Sequence, residues 1–341
     1  MFRFDFPEFV PSRLLPGGHA QTILGSFLPG PGEPNGSILR LVDTTLGDQL
    51  ALKQNQPASC AAVTHQVILL HGLAGCHRSG YMTRTCHRLL DRGFGVYRMD
   101  ARGAGAGLEL ARYHHHAGRS EDLESAVNFV ANEHPNSRII LVGFSLGANV
   151  LLHYLGATLS RTHQRVDAAI AVAPPIDLSK CSIELKTGLS RGYDAYFARV
   201  MLERLKERRR ARPDMVDYPL RNAPKTLRQF DAQFTARAGG FSSIEDYYSQ
   251  ASSGQYLSRI HTPTLIFVDE DDPVIPIALF DEVSVGPNTH LIRTRGGGHL
   301  GYFAKRNIDP DRHWMSWRIA EAVEQFSRTW VSQPTTESGD E

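Results

Sequence analysis

Cysteine is scarce. The 341-residue chain has four, Cys60, Cys76, Cys86 and Cys181, with neither a Cys-x-x-Cys pair nor the dense spacing of a disulfide framework. A disulfide scaffold is therefore not expected, and a reducing compartment is the default. No run approaches the ~18 apolar residues that a spanning helix needs. The opening stretch from Met1 to Val10 places Arg3, Asp5 and Glu8 among its aromatics, which interrupts the apolar core of an export signal. These absences predict a cytoplasmic, soluble protein without an integral membrane segment. An excess of either charge is missing too: 37 Lys and Arg face 36 Asp and Glu, for a formal net charge of +1. There is no global field to attract nucleic acid or an anionic membrane. No repeat of solenoid or propeller period is present, and only the tail from about Ser332 to Glu341, rich in Thr, Ser, Gly and acid, reads as disordered.

What is present suffices for a sizeable core, with 41% hydrophobic and 21% charged residues. Short apolar runs at Val67 to Leu70, Gly95 to Met99, Ile139 to Val142, Ala168 to Val172, Thr264 to Val268 and His290 to Thr294 read as strands. Longer helical patterns, such as Ser120 to Glu133 and Ala148 to Leu159, separate the first four. That alternation predicts an α/β fold with a mostly parallel sheet covered by helices on both faces, and functional residues at the C-terminal strand ends. The rhythm breaks between Asp177 and Arg259, which marks a helical cap insertion at about residues 178–258 within one domain spanning residues 1–331. Its basic run, Lys206 to Arg212, is interspersed with Glu203 and Glu207 at helical spacing and reads as a solvated helix face.

Gly143-Phe144-Ser145-Leu146-Gly147 follows the strand ending at Val142 and precedes the helix beginning at Ala148. In this context Gly-x-Ser-x-Gly is a nucleophile elbow, a sharp strand-to-helix turn that exposes the serine hydroxyl at a helix N-terminus. Serine needs a base to remove its proton and an acid to orient that base. The acid is expected after the strand Thr264 to Val268, where Asp269, Glu270, Asp271 and Asp272 cluster; Asp272, beside Pro273, is the choice, with Asp271 second and the remaining acids read as solvated loop charge. The base is His299, in the glycine-rich loop Gly296 to Gly301. The expected catalytic triad is thus Ser145, Asp272 and His299. His71 to Gly75 follows the first strand and can supply an oxyanion donor. The two donors in this arrangement are the backbone N–H groups of Leu146 and Leu73. His71 itself reads as structural.

His114, His115 and His116 invite a metal reading, but three consecutive side chains cannot converge on one ion without unusual backbone. Asp100 and Arg102 read as turn-fixing residues. No metal or organic cofactor is expected. The cap aromatics, among them Phe197, Phe230, Phe234, Tyr247 and Tyr248, fit either a pocket lining or a cap core, and Phe2, Phe4, Phe6 and Phe9 offer a contact with a lipid surface.

Together these motifs resemble the YheT-like branch of the α/β-hydrolases, a likeness running from about residue 8 to residue 330. It is carried by His19-Ala20-Gln21-Thr22, His71 to Gly75, Gly143 to Asn149, Phe230-Asp231, Gly240-Phe241, Tyr247-Tyr248 and Asp271-Asp272-Pro273. The family's nucleophile, acid and base fall on Ser145, Asp272 and His299. The chain departs from the family at Asp100 to Gly103, where relatives carry Asn-x-Arg-Gly, and at His114 to His116, where many have a single histidine. The resemblance implies a serine esterase acting on short-chain acyl or lipid esters as small-molecule substrates. The alternatives are an acyltransferase using the same acyl-enzyme and a non-catalytic ligand-binding protein on the same scaffold.

Overall fold

The computed structural model describes residues 4–45, 47–58, 63–157 and 164–331, so the expected disordered tail and Cys60 lie outside the described residues. One eight-stranded sheet organises the chain, in the order β1-β2-β4-β3-β5-β6-β7-β8. Its strands are β1 (Ile38–Asp43), β2 (Gln49–Asn55), β3 (His65–Leu70), β4 (Gly95–Asp100), β5 (Arg138–Phe144), β6 (Val166–Val172), β7 (Thr264–Asp269) and β8 (Thr289–Thr294). From β3 to β8 neighbouring strands are parallel, and β2 is antiparallel to both β1 and β4. The α/β class and all six expected strands are borne out. β3, β4 and β7 are buried along their whole length, which is why they read as unbroken apolar runs. The hairpin β1–β2 escaped periodicity because β1 is an exposed edge and β2 carries Gln49, Lys53, Gln54 and Asn55.

The helices of the body are α1 (Gly17–Phe27), α2 (Gly80–Leu90), α3 (Glu121–Glu133) and α4 (Leu146–Ala157), with α10 (Trp314–Val331) closing the fold. The chain steps one way from β3 to β4 and the other way from β4 through β6. Right-handed crossovers therefore put α2 on one face and α3 and α4 on the other, and α2 meets α10 while α3 meets α4. The N-terminal aromatics belong to this core rather than to a lipid-facing surface. Phe9 is buried against Tyr302 and Trp314, Phe6 stacks on Phe267, and Phe4 meets Phe326 edge-on; Phe2 lies outside the described residues. Among the described residues no helix is long and apolar enough to cross a membrane.

Between β6 and β7 the chain leaves the sheet for α5 (Leu178–Glu184), α6 (Arg191–Ala211), α7 (Leu227–Phe230), a π-helical turn (Asp231–Thr235), α8 (Ala236–Ala238) and α9 (Ile244–Ala251). Asp177, Thr226 and Ser243 cap α5, α7 and α9 by accepting backbone N–H bonds. Phe230 and Phe234 are fully buried with Leu205, Met215 and Ala238, forming the cap's own core. Tyr247 and Tyr248 instead join Ala117 of the body. The basic run is not uniformly a solvated face. Lys206 is exposed and paired with Glu203, but Arg208 is 1% exposed and donates to the carbonyls of Ala111 and Tyr113 and to His114 Nδ1, tying α6 to the loop beneath it.

Candidate active site

β5 ends at Phe144 and α4 begins at Leu146, leaving Ser145 alone in the turn with φ +50°, a left-handed conformation that costs a non-glycine residue energy. The turn is possible because of the residues two positions either side. A Cβ on Gly143 would stand 2.6 Å from Ala148 Cα, and one on Gly147 would stand 2.5 Å from the His71 carbonyl oxygen. Only glycine lets α4 fold back so closely over β5 and β3. Ser145 N–H donates to Val172 O at 2.8 Å, fixing the elbow to β6.

Asp272 and His299 come from the loops that follow β7 and β8, the two strands beyond β6 in the sheet. Ser145 Oγ and His299 Nε2 are 2.9 Å apart, and His299 Nδ1 and Asp272 Oδ2 are 2.9 Å apart. A carboxylate only accepts, so Nδ1 carries the ring proton and Nε2 is left to accept from the serine hydroxyl. The other oxygen of Asp272 accepts from the N–H groups of Val274 and Ile275 at 2.8 and 3.0 Å. Asp272 and His299 are buried while Ser145 is half-buried, open to the cavity above it. Asp271 and Glu270 are exposed, as the loop-charge reading expects, but Asp269 is not. It is 2% exposed, and its carboxylate accepts from Gly297 N, Gly298 N, Asp271 N and Thr294 Oγ1, binding the His299 loop to the Asp272 loop. Burial pushes its pKa up, and these four bonds oppose the shift.

The loop His71 to Gly75 leaves β3 directly beside Ser145. Gly72 N–H donates to Tyr81 Oη at 2.9 Å and so is already used. Neither the Leu73 nor the Leu146 amide has an acceptor among the described residues, and both residues line the cavity with Ser145. Three contacts hold the loop. His71 Nδ1–H donates to Gly72 O at 2.8 Å while its Nε2 accepts from Ala101 N at 3.1 Å, and burial lowers its pKa, keeping the ring neutral. Tyr81 supplies the second, with its phenol pushed up to about 12 by burial. Arg204 of α6 is the third, donating to the carbonyls of Ala74 and Gly75. Tyr81 and Arg204 were not foreseen, since neither lies in a motif and both act across distant segments.

The cavity has a volume of about 1150 Å³ counted to include its open mouth. Its floor is the Ser145 turn and the loop His71 to Gly75, and its roof is the cap, with Leu178, Leu185, Phe197, Met201, Leu227 and Tyr247 among the lining residues. Of the two departures from the family pattern, His114 to His116 reach this wall, whereas at Asp100 to Gly103 only Ala101, Arg102 and Gly103 line it and Asp100 does not. The three histidines diverge: His114 accepts from Arg208, His116 Nδ1 accepts from Gly118 N, and His115 Nδ1 has no hydrogen-bond partner among the described residues. Burial lowers the pKa of all three, that of His115 to about 3. Among the described residues no group of His, Cys, Asp and Glu is arranged to hold a metal ion. Asp100 accepts from His77 N and Nδ1 and from Ala106 N, and Arg102 pairs with Asp48 and Asp122, so both fix the backbone around the site. In the cap, Asp231 faces the same cavity, accepts from Tyr248 Oη at 2.9 Å, and is pushed up to about 6 by burial.

A family described as Hydrolase_4, serine aminopeptidase S33, matches residues 61–284. The chain is 30% identical over 269 residues to a protein named monoacylglycerol lipase from Saccharomyces cerevisiae, covering 76% of this chain and 59% of that longer protein. It is 28% identical over 319 residues to the putative esterase YheT of Escherichia coli, covering 92% of each. Among solved structures, an esterase from Pyrococcus furiosus superposes with a TM-score of 0.56 at 19% identity over 96% of this chain and 99% of the other, a likeness of fold.

Proposed function

The chain belongs to the Hydrolase_4 family of α/β-hydrolases, in its YheT-like branch of carboxylic ester hydrolases, and from that premise we propose that it cleaves its esters through an acyl-enzyme on Ser145. His299 Nε2 takes the Ser145 proton as Oγ attacks the ester carbonyl carbon. The carbonyl oxygen becomes an oxyanion facing the free N–H groups of Leu73 and Leu146. The tetrahedral intermediate collapses, the alcohol leaves with the proton held by His299, and Ser145 carries the acyl group. Water then enters, gives a proton to His299 and attacks the acyl carbon; the carboxylic acid departs and the serine proton returns. Asp272 holds the imidazole in the tautomer this sequence needs and stabilises its cationic form.

The observation that carries the reading is the unbroken relay Ser145 Oγ, His299 Nε2, His299 Nδ1, Asp272 Oδ2, with both links at 2.9 Å. The apolar lining supports an acyl chain as the bound part of the substrate. A relative named monoacylglycerol lipase supports the lipid-ester end of the range from short-chain acyl to lipid esters. The free thiols of Cys76, Cys86 and Cys181 support a reducing, cytoplasmic setting. Hydrolysis of chromogenic acyl esters of increasing chain length tests the proposal. Wild type is expected to release the free acid and Ser145→Ala to lose this activity, whereas equal rates in the two would overturn it. Product analysis with a competing alcohol separates hydrolysis from acyl transfer.

A further inference from the structure

The motif His19-Ala20-Gln21-Thr22 lies on α1, none of whose residues lines the cavity. Gly18, Gln21, Thr22 and Gly25 recur at i, i+3, i+4 and i+7 and so share one face of that helix. This face is pressed against the two loops that carry the acid and the base. A Cβ on Gly18 would overlap the Asp271 carbonyl, next to Asp272. A Cβ on Gly25 would stand 2.6 Å from Gly301 Cα, two residues beyond His299. Between them, Thr22 Oγ1 accepts the His299 backbone N–H at 2.8 Å and donates to Gly18 O at 2.6 Å. Gln21 grips the same loop further on, accepting from Phe303 N at 2.8 Å and donating to Phe303 O at 3.1 Å. Thr22 and Gln21 are both buried, so no water replaces these partners. The cap meets the same helix, where Tyr193 of α6 stacks on His19, its hydroxyl lies 3.1 Å from His19 Nδ1, and it also hydrogen-bonds to the Thr22 side chain.

We infer that α1 sets the register between the Asp272 and His299 loops, with Thr22 as the positioning residue for His299. Burial alone does not account for the arrangement. A glycine at each end of the face brings backbone to backbone at both loops, and the one hydroxyl between them takes the main-chain amide of the base itself. This role rests on His299 acting as the base for Ser145. A displacement of the ring by ~1 Å is enough to cost ~100-fold in rate, while a residue outside the cavity leaves substrate binding alone.

The test is steady-state kinetics of the full chain on one chromogenic acyl ester. Thr22→Val, which keeps the shape and loses the hydroxyl, is expected to lower kcat ten- to a hundredfold with KM within about twofold. Thr22→Ser, which restores the acceptor, is expected to return kcat to within about threefold of wild type. Thr22→Ala is the second hydroxyl-free variant should Thr22→Val fold poorly, and is expected to share its loss. Hydroxyl-free variants that fold and turn over at the wild-type kcat, or a loss in Thr22→Ser as large as in Thr22→Val, would overturn the inference. Wild-type hydrolysis that survives in Ser145→Ala marks failure of the acyl-enzyme reading instead, so the two failures are separable.

Discussion

Replacing Asp272 by Asn changes almost no volume and yet is expected to disable the site. Asp272 Oδ1 accepts two backbone amides, from Val274 and Ile275 at 2.8 and 3.0 Å, and only the carbonyl oxygen of an asparagine can serve there. Its NH2 group is then forced to face His299 Nδ1 at 2.9 Å, where the carboxylate oxygen stood. Donor would oppose donor unless the imidazole moves its proton to Nε2. That tautomer points N–H rather than a lone pair at Ser145 Oγ, and the serine proton has nowhere to go. In a triad this error is worth about 10⁴-fold in kcat, or about 5.5 kcal/mol of barrier. The two backbone bonds persist, so the melting temperature should move by only a few degrees. The assay pairs kcat on a chromogenic acyl ester with a thermal melt, and Asp271→Asn on the exposed neighbour serves as the control that leaves both unchanged. A folded Asp272→Asn enzyme within tenfold of the wild-type kcat would show that Asp272 does not set the tautomer of His299.

Other residues give sharper tests of individual contacts. Arg204→Ala should lower kcat on the same ester roughly tenfold, because the oxyanion loop loses its two bonds to the cap at Ala74 and Gly75 and one misplaced donor costs up to ~3 kcal/mol; an unchanged kcat would mean the loop holds itself. Gly147→Ala brings a methyl to 2.5 Å from the His71 carbonyl, and overpacking of this kind should cost roughly 3 kcal/mol, read as a lower denaturation midpoint in urea. Asp231 has its pKa raised from 3.8 to about 6, so the folded chain holds a proton that the unfolded chain has released, and wild-type stability falls as pH rises across that window. Asp231→Asn removes a penalty of about 3 kcal/mol that is complete above pH 6 and absent below pH 3.8, so urea midpoints should show stabilisation at pH 8 that vanishes near pH 4. An equal effect at both pH values would assign the change to packing instead.

The six parallel strands and the meeting of Ser145, His299 and Asp272 were legible in the sequence for a physical reason. Strands buried on both faces are apolar throughout, and a strained elbow cannot be built without glycines at fixed spacing, so both leave a local signature. β1 and β2 leave none, because an antiparallel edge tolerates Arg40, Lys53 and Gln54 facing water or one another. The supports of the site were equally illegible. Arg208 sits in a basic run whose neighbours are solvated, and only the loop folding beneath α6 makes it a buried tie. Asp269 and Asp272 differ in sequence only by position in an acidic cluster, yet one organises the backbone of the His299 loop and the other faces the imidazole. Such assignments depend on which segments meet across hundreds of residues, and composition does not record that.

Cleavage through an acyl-enzyme requires that Ser145 be an activated nucleophile. Labelling the folded wild type with a fluorophosphonate and locating the adduct by peptide mass spectrometry answers this without knowledge of the substrate. A single adduct on the peptide bearing Ser145, abolished in Ser145→Ala, is expected; wild type that stays unlabelled, or an adduct on another residue that persists in Ser145→Ala, would rule out an activated Ser145.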